Sequence, residues 1–306
     1  MSTSSTETKV SRALSWSKTI DRTLVHRDAI AEVLLTDVAR VSDTEFAVAA
    51  QWPRSHRVYR PDSQGRHDPM LILETVRQTG LAVSHLGFDI GFDQHSVMRD
   101  VGFELDPDAE PRALVTATDV TVRVTCQNVV RRAGALRSMT VVLRFIADDI
   151  EFAVGTGTIS WLSASTYAAL RARAATRGST GVNSWNSGRF KVQASARRAA
   201  PDALLAPTRT PGRSRQLVVP LNHPVYFDHP LDHAPGMLLI DAAWQAAAAL
   251  HGEAARLVGC MMGCPAFTEL GVATKIQLKP TSGDTTLFSV EQGGRATASG
   301  RFRIAV

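Results

Sequence analysis

The chain reads as an α+β protein made of two units in tandem, each with one long helix and an antiparallel sheet. Three observations predict this. The segment Ser55 to His85 aligns without a gap on Asn222 to Gly252, at a constant offset of 167 residues. Each copy holds a long, mostly apolar run opened by a helix-start signal, Asp68-Pro69 in the first and Pro235-Gly236 in the second. Each run is followed by stretches rich in β-branched residues with turn-like or charged interruptions, as in an antiparallel meander. The length of 306 residues suits a duplication, since domains commonly run to about 100 to 150 residues.

In the first half, Val25 to Trp52 opens as a mixed segment and ends in the alternating Phe46, Val48, Ala50 and Trp52, which reads as a strand. A connection containing His56 and Tyr59 follows. At Asp68-Pro69 an aspartate cap precedes a proline at the first helical position, and the helix is expected to run to about Leu86. Gly80 inside it costs about 1 kcal/mol relative to alanine, so close packing is expected there. Strands are expected over Leu114 to Val124, Arg137 to Ile146 and Phe152 to Trp161. The second half repeats the order: a short strand at Gln216 to Val219, the His223 connection, a helix from Pro235 to His251, and strands near Ala273 to Leu278, Thr285 to Glu291 and Arg295 to Ile304. One unit is thus expected at 20–170, a linker at 171–215 and a second unit at 216–306. A sheet wrapped round one long helix is the hotdog architecture. Such units normally pair, so two tandem hotdog domains forming an intramolecular pseudo-dimer are expected.

The formal net charge is +5, but it is unevenly placed. Residues 171–215 carry ten basic side chains against the single Asp202, a surplus of nine, which leaves the rest of the chain at −4. The basicity belongs to a Gly/Ser/Pro/Arg-rich connector, which argues against nucleic acid as a partner. The amino terminus is polar, and no window approaches the ~18 apolar residues of a membrane span. No membrane association and a cytoplasmic location are expected. Cys126, Cys260 and Cys264 read as buried reduced thiols.

The repeat matches polar as well as apolar positions. His56 falls on His223, Val58 on Val225, Tyr59 on Tyr226, Met70 on Met237, Gln78 on Gln245, and Glu74 on Asp241. Hydrophobic periodicity would leave the polar positions free, so a shared site is expected. The main departure is Arg77 against Trp244.

The second-half run from His223 through Asp228-His229-Pro, His233-Ala-Pro-Gly236-Met, Asp241-Ala-Ala-Trp244 and Gln245 resembles the AfsA family, the A-factor biosynthesis proteins. Val25-His26-Arg27, Gln51-Trp52-Pro53-Arg54-Ser55-His56 and Glu74-Thr-Val-Arg77-Gln78 look like that family's amino-terminal motifs. The Pro-Gly-Met-Leu…Asp-Ala…Gln run also looks distantly like the hotdog dehydratases of fatty-acid synthesis. The resemblance implies an acyltransferase that joins a β-ketoacyl group, carried on acyl carrier protein or coenzyme A, to dihydroxyacetone phosphate on the way to a γ-butyrolactone signal, with no cofactor. It also implies an acid on the first central helix, present as Glu74, and an arginine on the second, where this chain has Trp244 behind the shortened acid Asp241.

Ester formation needs a group to accept the acceptor's hydroxyl proton, and Glu74, on the helical stripe of Leu71, Gln78 and Leu81, is the first candidate. Burial is expected to raise its pKa; the alternative is an exposed Glu74 paired with Arg77. Asp241 and His223 are the other catalytic candidates. Arg77, Gln78, His56, Gly236, Trp244 and Gln245 are the substrate-binding candidates. Gly236 opens a helix whose backbone N–H groups suit a developing oxyanion. Gln78 and Gln245 either orient an acyl carbonyl or satisfy backbone groups. Phosphate calls for arginine's planar fork, with Arg77, Arg54 and Lys275 as candidates, whereas Trp244 suits packing. His223, His229 and His233 lie close together, but Pro230 prevents a shared helical face, and no metal is expected. No Gly-x-Ser-x-Gly elbow, phosphate loop or dinucleotide fingerprint occurs. A hotdog thioesterase or dehydratase, or a binding homologue without chemistry, remains as the alternative.

Overall fold

The computed structural model describes residues 14–178, 202–209, 212–252 and 254–305, and divides into two compact units, the first ending at Ala164 and the second beginning at Ser165. The middle of the basic connector, 179–201, lies outside the described residues.

The first unit opens with two short 3-10 turns, Arg22–Val25 and Ile30–Glu32. Strands β1 (Leu35–Arg40) and β2 (Glu45–Trp52) precede helix α1 (Met70–Phe88), and β3 (His95–Leu105), β4 (Thr118–Arg132), β5 (Ala135–Ala147) and β6 (Ile150–Leu162) follow. Antiparallel pairing orders them β1-β2-β4-β5-β6-β3. Helix α1 packs against β1, β2, β3, β5 and β6, and every residue of it except Arg77 and Leu86 is buried. A helix apolar on nearly all sides needs such an enclosure.

The Asp-Pro signal starts α1 as expected, with Met70 as the first helical residue. Asp68 Oδ1 accepts the Met70 N–H at 3.0 Å, and the carbonyls of Asp68 and Pro69 take the N–H groups of Leu71 and Ile72. Asp89, at φ 55°, closes the helix in the left-handed conformation with its N–H on the Ser84 carbonyl. Gly80 is not the tight point: a Cβ there would meet Val141 Cγ2 at 3.8 Å, an ordinary contact. The close approach is one helical segment on, at Gly87, where a Cβ would lie 2.7 Å from Phe46 Cε1.

Strand β2 is buried on both faces. Phe46, Val48 and Ala50 alternate as expected, but Ala47 and Ala49 are covered by Leu14 and Trp16 from the amino-terminal segment. Residues 114–117, expected in a strand, form a loop in which Leu114 and Val115 are exposed.

The second unit comprises α2 (Ala164–Gly178), β7 (Ser214–Gln216), α3 (Gly236–His251), β8 (Arg256–Gly263), β9 (Thr274–Pro280), β10 (Thr285–Gln292) and β11 (Arg295–Ala305). Its strands pair antiparallel in the order β8-β11-β10-β9-β7, and α3 packs on β8, β9 and β10. Both described ends of the expected linker are built into this unit. Arg171 on α2 grips Glu269 through two N–H groups, at 2.8 and 2.7 Å, and reaches Asp232 at 3.0 Å. Leu204 and Leu205 are buried, and Leu205 bridges Leu217, one residue beyond β7. Among the described residues no helix is long and apolar enough to cross a membrane.

Candidate active site

Each unit contains the same hydrogen-bonded brace beside its central helix. In the first, His56 Nδ1 accepts the N–H groups of Val58 and Tyr59, at 3.1 and 2.9 Å, so the ring proton sits on Nε2, 3.2 Å from Glu32 Oε2. In the second, His223 Nδ1 accepts from Val225 and Tyr226, at 3.2 and 3.3 Å, and Nε2 lies 3.2 Å from Asp202 Oδ1. Each histidine curls the following chain around its ring and stacks near a buried tyrosine, with centroids 4.7 Å apart for His56–Tyr59 and 4.5 Å for His223–Tyr226.

The helix glutamines complete the brace. Gln78 Oε1 accepts the Leu34 N–H at 2.9 Å, while its Nε2 donates to the Glu32 carbonyl and to Glu74 Oε1, both at 2.7 Å. Gln245 Oε1 accepts the Leu204 N–H at 2.9 Å, while its Nε2 donates to the Asp202 carbonyl at 3.3 Å and to Asp241 Oδ2 at 3.2 Å. Of the two readings left open for these glutamines, the geometry favours satisfying backbone groups. Glu32 and Asp202 are absent from the sequence expectations. Their signal is the run Glu32-Val-Leu34-Leu35 against Asp202-Ala-Leu204-Leu205, at an offset of 170 rather than 167. The same N–H closes the strand in both units, Gln51 onto the Leu34 carbonyl and Val218 onto the Leu204 carbonyl.

Glu74 is the centre of the first unit's charged cluster. Arg27 Nη2, Arg77 Nη2 and Gln78 Nε2 all donate to Oε1 at 2.7 Å, and Arg77 Nε donates to Oε2 at 3.0 Å. Glu74 is 2% exposed. Burial pushes its pKa up, as expected, but the charges of Arg27 and then Arg77, with the Arg77 and Gln78 hydrogen bonds, outweigh burial. The carboxyl is held well below the usual range, which corrects the expectation of a raised value. Glu74 is therefore both buried and paired with Arg77, and Arg77 spends its fork on Glu74. Arg27, which the sequence shows only within a motif, proves to be part of the cluster.

In the second unit Asp241 is fully buried and accepts from the Tyr226 hydroxyl as well as Gln245. Trp244, at the Arg77 position, is 3% exposed and stands edge-on to Phe302 at 5.7 Å, a packing role. Gly236 is the first residue of α3, behind Pro235, which gives no side-chain cap. The histidines are spoken for separately: His223 by Asp202, His229 by Asp228 at 2.7 Å, and His233 by Asp232 at 2.6 Å. Among the described residues no three metal-ligating side chains gather. Arg54 lies on the loop after β2, where its Nη1 donates to the Val115 carbonyl at 2.6 Å, and Lys275 is exposed on β9. No disulfide joins the three cysteines; Cys126 and Cys260 are buried as expected, Cys264 is only half-buried, and burial pushes Cys126 up to about 12.

A family model described as an A-factor biosynthesis hotdog domain, AfsA, matches residues 8–163 and 193–306. A protein of Streptomyces virginiae named 2-oxo-3-(phosphooxy)propyl 3-oxoalkanoate synthase is 33% identical over 303 residues, covering 92% of this chain and 99% of its own. A protein of the same name from Streptomyces coelicolor is 29% identical, covering 76% of this chain and 72% of its own. Among solved structures, a 12:0-ACP thioesterase from Umbellularia californica shares the fold at TM-score 0.54 and 11% identity, covering 85% of this chain and 97% of its own. An acyl-ACP thioesterase from Bacteroides thetaiotaomicron does so at TM-score 0.51 and 15% identity, covering 85% of this chain and 98% of its own. At that identity the likeness concerns architecture alone.

Proposed function

The chain belongs to the AfsA family of A-factor biosynthesis hotdog proteins, and on that premise we propose that it is an acyltransferase joining a β-ketoacyl thioester to dihydroxyacetone phosphate. The near end-to-end match to the Streptomyces virginiae synthase carries this reading. The hydroxyl of the acceptor attacks the thioester carbonyl, the new C–O bond forms, the C–S bond breaks, and the hydroxyl proton ends on the departing thiol. The product is the 2-oxo-3-(phosphooxy)propyl ester of a 3-oxoalkanoate, the compound for which the Streptomyces relatives are named. Acyl carrier protein or coenzyme A delivers the acyl group, and cyclisation of the ester leads toward a butenolide.

Within this reading Glu74 is the catalytic carboxylate. Three donors crowd Oε1, while Oε2 takes one, so Oε2 has capacity to accept a hydrogen bond from the acceptor hydroxyl. A carboxylate held this firmly ionised is a weak base. Its contribution is to orient the hydroxyl rather than to keep the proton. Gln78 and Gln245 hold the two central helices to the segments before them, His56 and His223 hold the loops to the same segments, and Asp241 with Tyr226 and Trp244 forms the less charged counterpart in the second unit.

Thiol release from a β-ketoacyl thioester tests the reading. Release is expected to depend on dihydroxyacetone phosphate; equal release with and without it, yielding the free 3-oxo acid, would identify a thioesterase instead.

A further inference from the structure

The His56 loop carries three arginines that its twin does not need. Arg54, Arg57 and Arg60 fall at the positions of Leu221, Pro224 and Phe227 in the His223 loop. Both loops wrap their histidine with the same two backbone hydrogen bonds, so the shape forms without any arginine. The wrap around the histidine therefore does not by itself account for three guanidinium groups on one loop and none on the other. All three line an open cleft of about 500 Å³ with His56 and Asp62. Arg54 spends one N–H on the Val115 carbonyl and Arg60 one on the Arg57 carbonyl, and neither pairs with a carboxylate among the described residues. A guanidinium has five N–H donors, so both keep most of theirs. Asp62, the one acid in the lining, is held by Arg66 at 2.6 Å and by the N–H groups of Gln64 and Arg66, so its charge is answered locally.

We propose that this cleft in the first unit binds the phosphoryl group of a small phosphate ester. Three guanidinium groups lining one cleft, on a loop fixed by His56, suit the oxygens of a phosphate, and the lining has few apolar side chains to hold an acyl chain. Arg77 is not among the residues that line this cleft, and two of its N–H groups are on Glu74. Assigning the phosphate to the acceptor rests on the acyltransferase reading; a phosphopantetheine arm of the donor offers the same chemistry. The site itself rests on the cleft and on the contrast between the loops.

Isothermal titration of the full chain without thioester separates these. Glycerol 3-phosphate is expected to bind, glycerol is not, and Arg54→Gln/Arg57→Gln/Arg60→Gln is expected to weaken binding by about tenfold or more with the melting temperature retained. Should the triple variant melt early, Arg60→Gln alone is expected to weaken binding severalfold. Coenzyme A bound in place of glycerol 3-phosphate, and lost in the same variants, keeps the phosphoryl site but moves its source to the donor. Binding of neither, or binding that the substitutions leave unchanged, overturns the proposal. Glycerol 3-phosphate binding in a protein that transfers no acyl group would sink the reaction and leave the site standing.

Discussion

Arg27 and Glu74, 47 residues apart in the chain, meet in a buried ion pair with Arg27 Nη2 2.7 Å from Glu74 Oε1. The pair ties the segment after the first 3-10 turn to the second turn of α1. Their side chains are only 7% and 3% exposed, so solvent does little to screen them. Removing one partner of a buried pair costs about 3–5 kcal/mol, and because Arg77 stays on Glu74 the loss for Arg27→Met is expected near the lower figure, about 3 kcal/mol. The urea midpoint measures it. An unchanged midpoint would mean that the pair is open to water.

Glu74 also sets an acid limit. Its folded pKa lies below the ordinary 4.5, so its contribution to stability is complete above that pH and is lost as pH falls below it toward the folded value. Glu74→Gln is expected to be less stable near neutrality, since Arg27 loses its counter-charge, and to show a flatter decline below pH 4.5. Unfolding curves collected across the acid range compare the two slopes; equal slopes would remove Glu74 from the account.

His67 acts in a higher window. It is 3% exposed, edge-on to Trp52 at 5.2 Å, with Nε2 2.8 Å from Thr118 Oγ1. Burial lowers its pKa from 6.5 to about 4. Between those values the unfolded chain binds a proton that the fold refuses, so stability falls as pH drops through the window and the effect levels off below it. The total is at most about 3 kcal/mol. NMR titration of the His67 ring is expected to show the low midpoint, and His67→Gln to remove the slope. A midpoint at the ordinary value would contradict the burial.

Two glycines on α1 are expected to respond oppositely. Gly80→Ala meets only an ordinary contact with Val141 and gains helix propensity, so it is expected to stabilise by about 0.5–1 kcal/mol. Gly87→Ala drives a methyl into the Phe46 ring and is expected to destabilise by about 1–3 kcal/mol. Thermal melts of the pair decide the matter, and matching signs would show that α1 sits differently against β2.

The two central helices and most strands were legible because apolar runs, the Asp68-Pro69 start and β-branched stretches are local signals. The strand directly after the central helix escaped in both units. In β3, Arg99 and Asp100 interrupt the alternation where the register shifts, and β8 is built from Gly, Cys and Met, with little β-branched character. Helix α2 was hidden by its arginines, which read as connector charge until Arg171 is seen on Glu269. In the site, the repeat picked out His56, Glu74 and Gln78 with their partners, because those residues keep a constant spacing. Glu32 and Asp202 slipped past because the connection between them and the repeat is three residues shorter in the second unit. The lowered pKa of Glu74 was out of reach for a different reason. Burial and an i,i+3 arginine can be read from a helix, but Arg27 arrives from a distant turn, and its charge is the largest influence that lowers the value.

Acyl transfer to a phosphorylated acceptor is tested most directly by mass spectrometry of the purified protein incubated with a β-ketoacyl thioester and carbon-13-labelled dihydroxyacetone phosphate. The predicted result is an ester, or its cyclised butenolide, carrying the label of the triose together with the acyl chain. Free 3-oxo acid as the sole acyl product, or thioester left intact beside unchanged dihydroxyacetone phosphate, would contradict it.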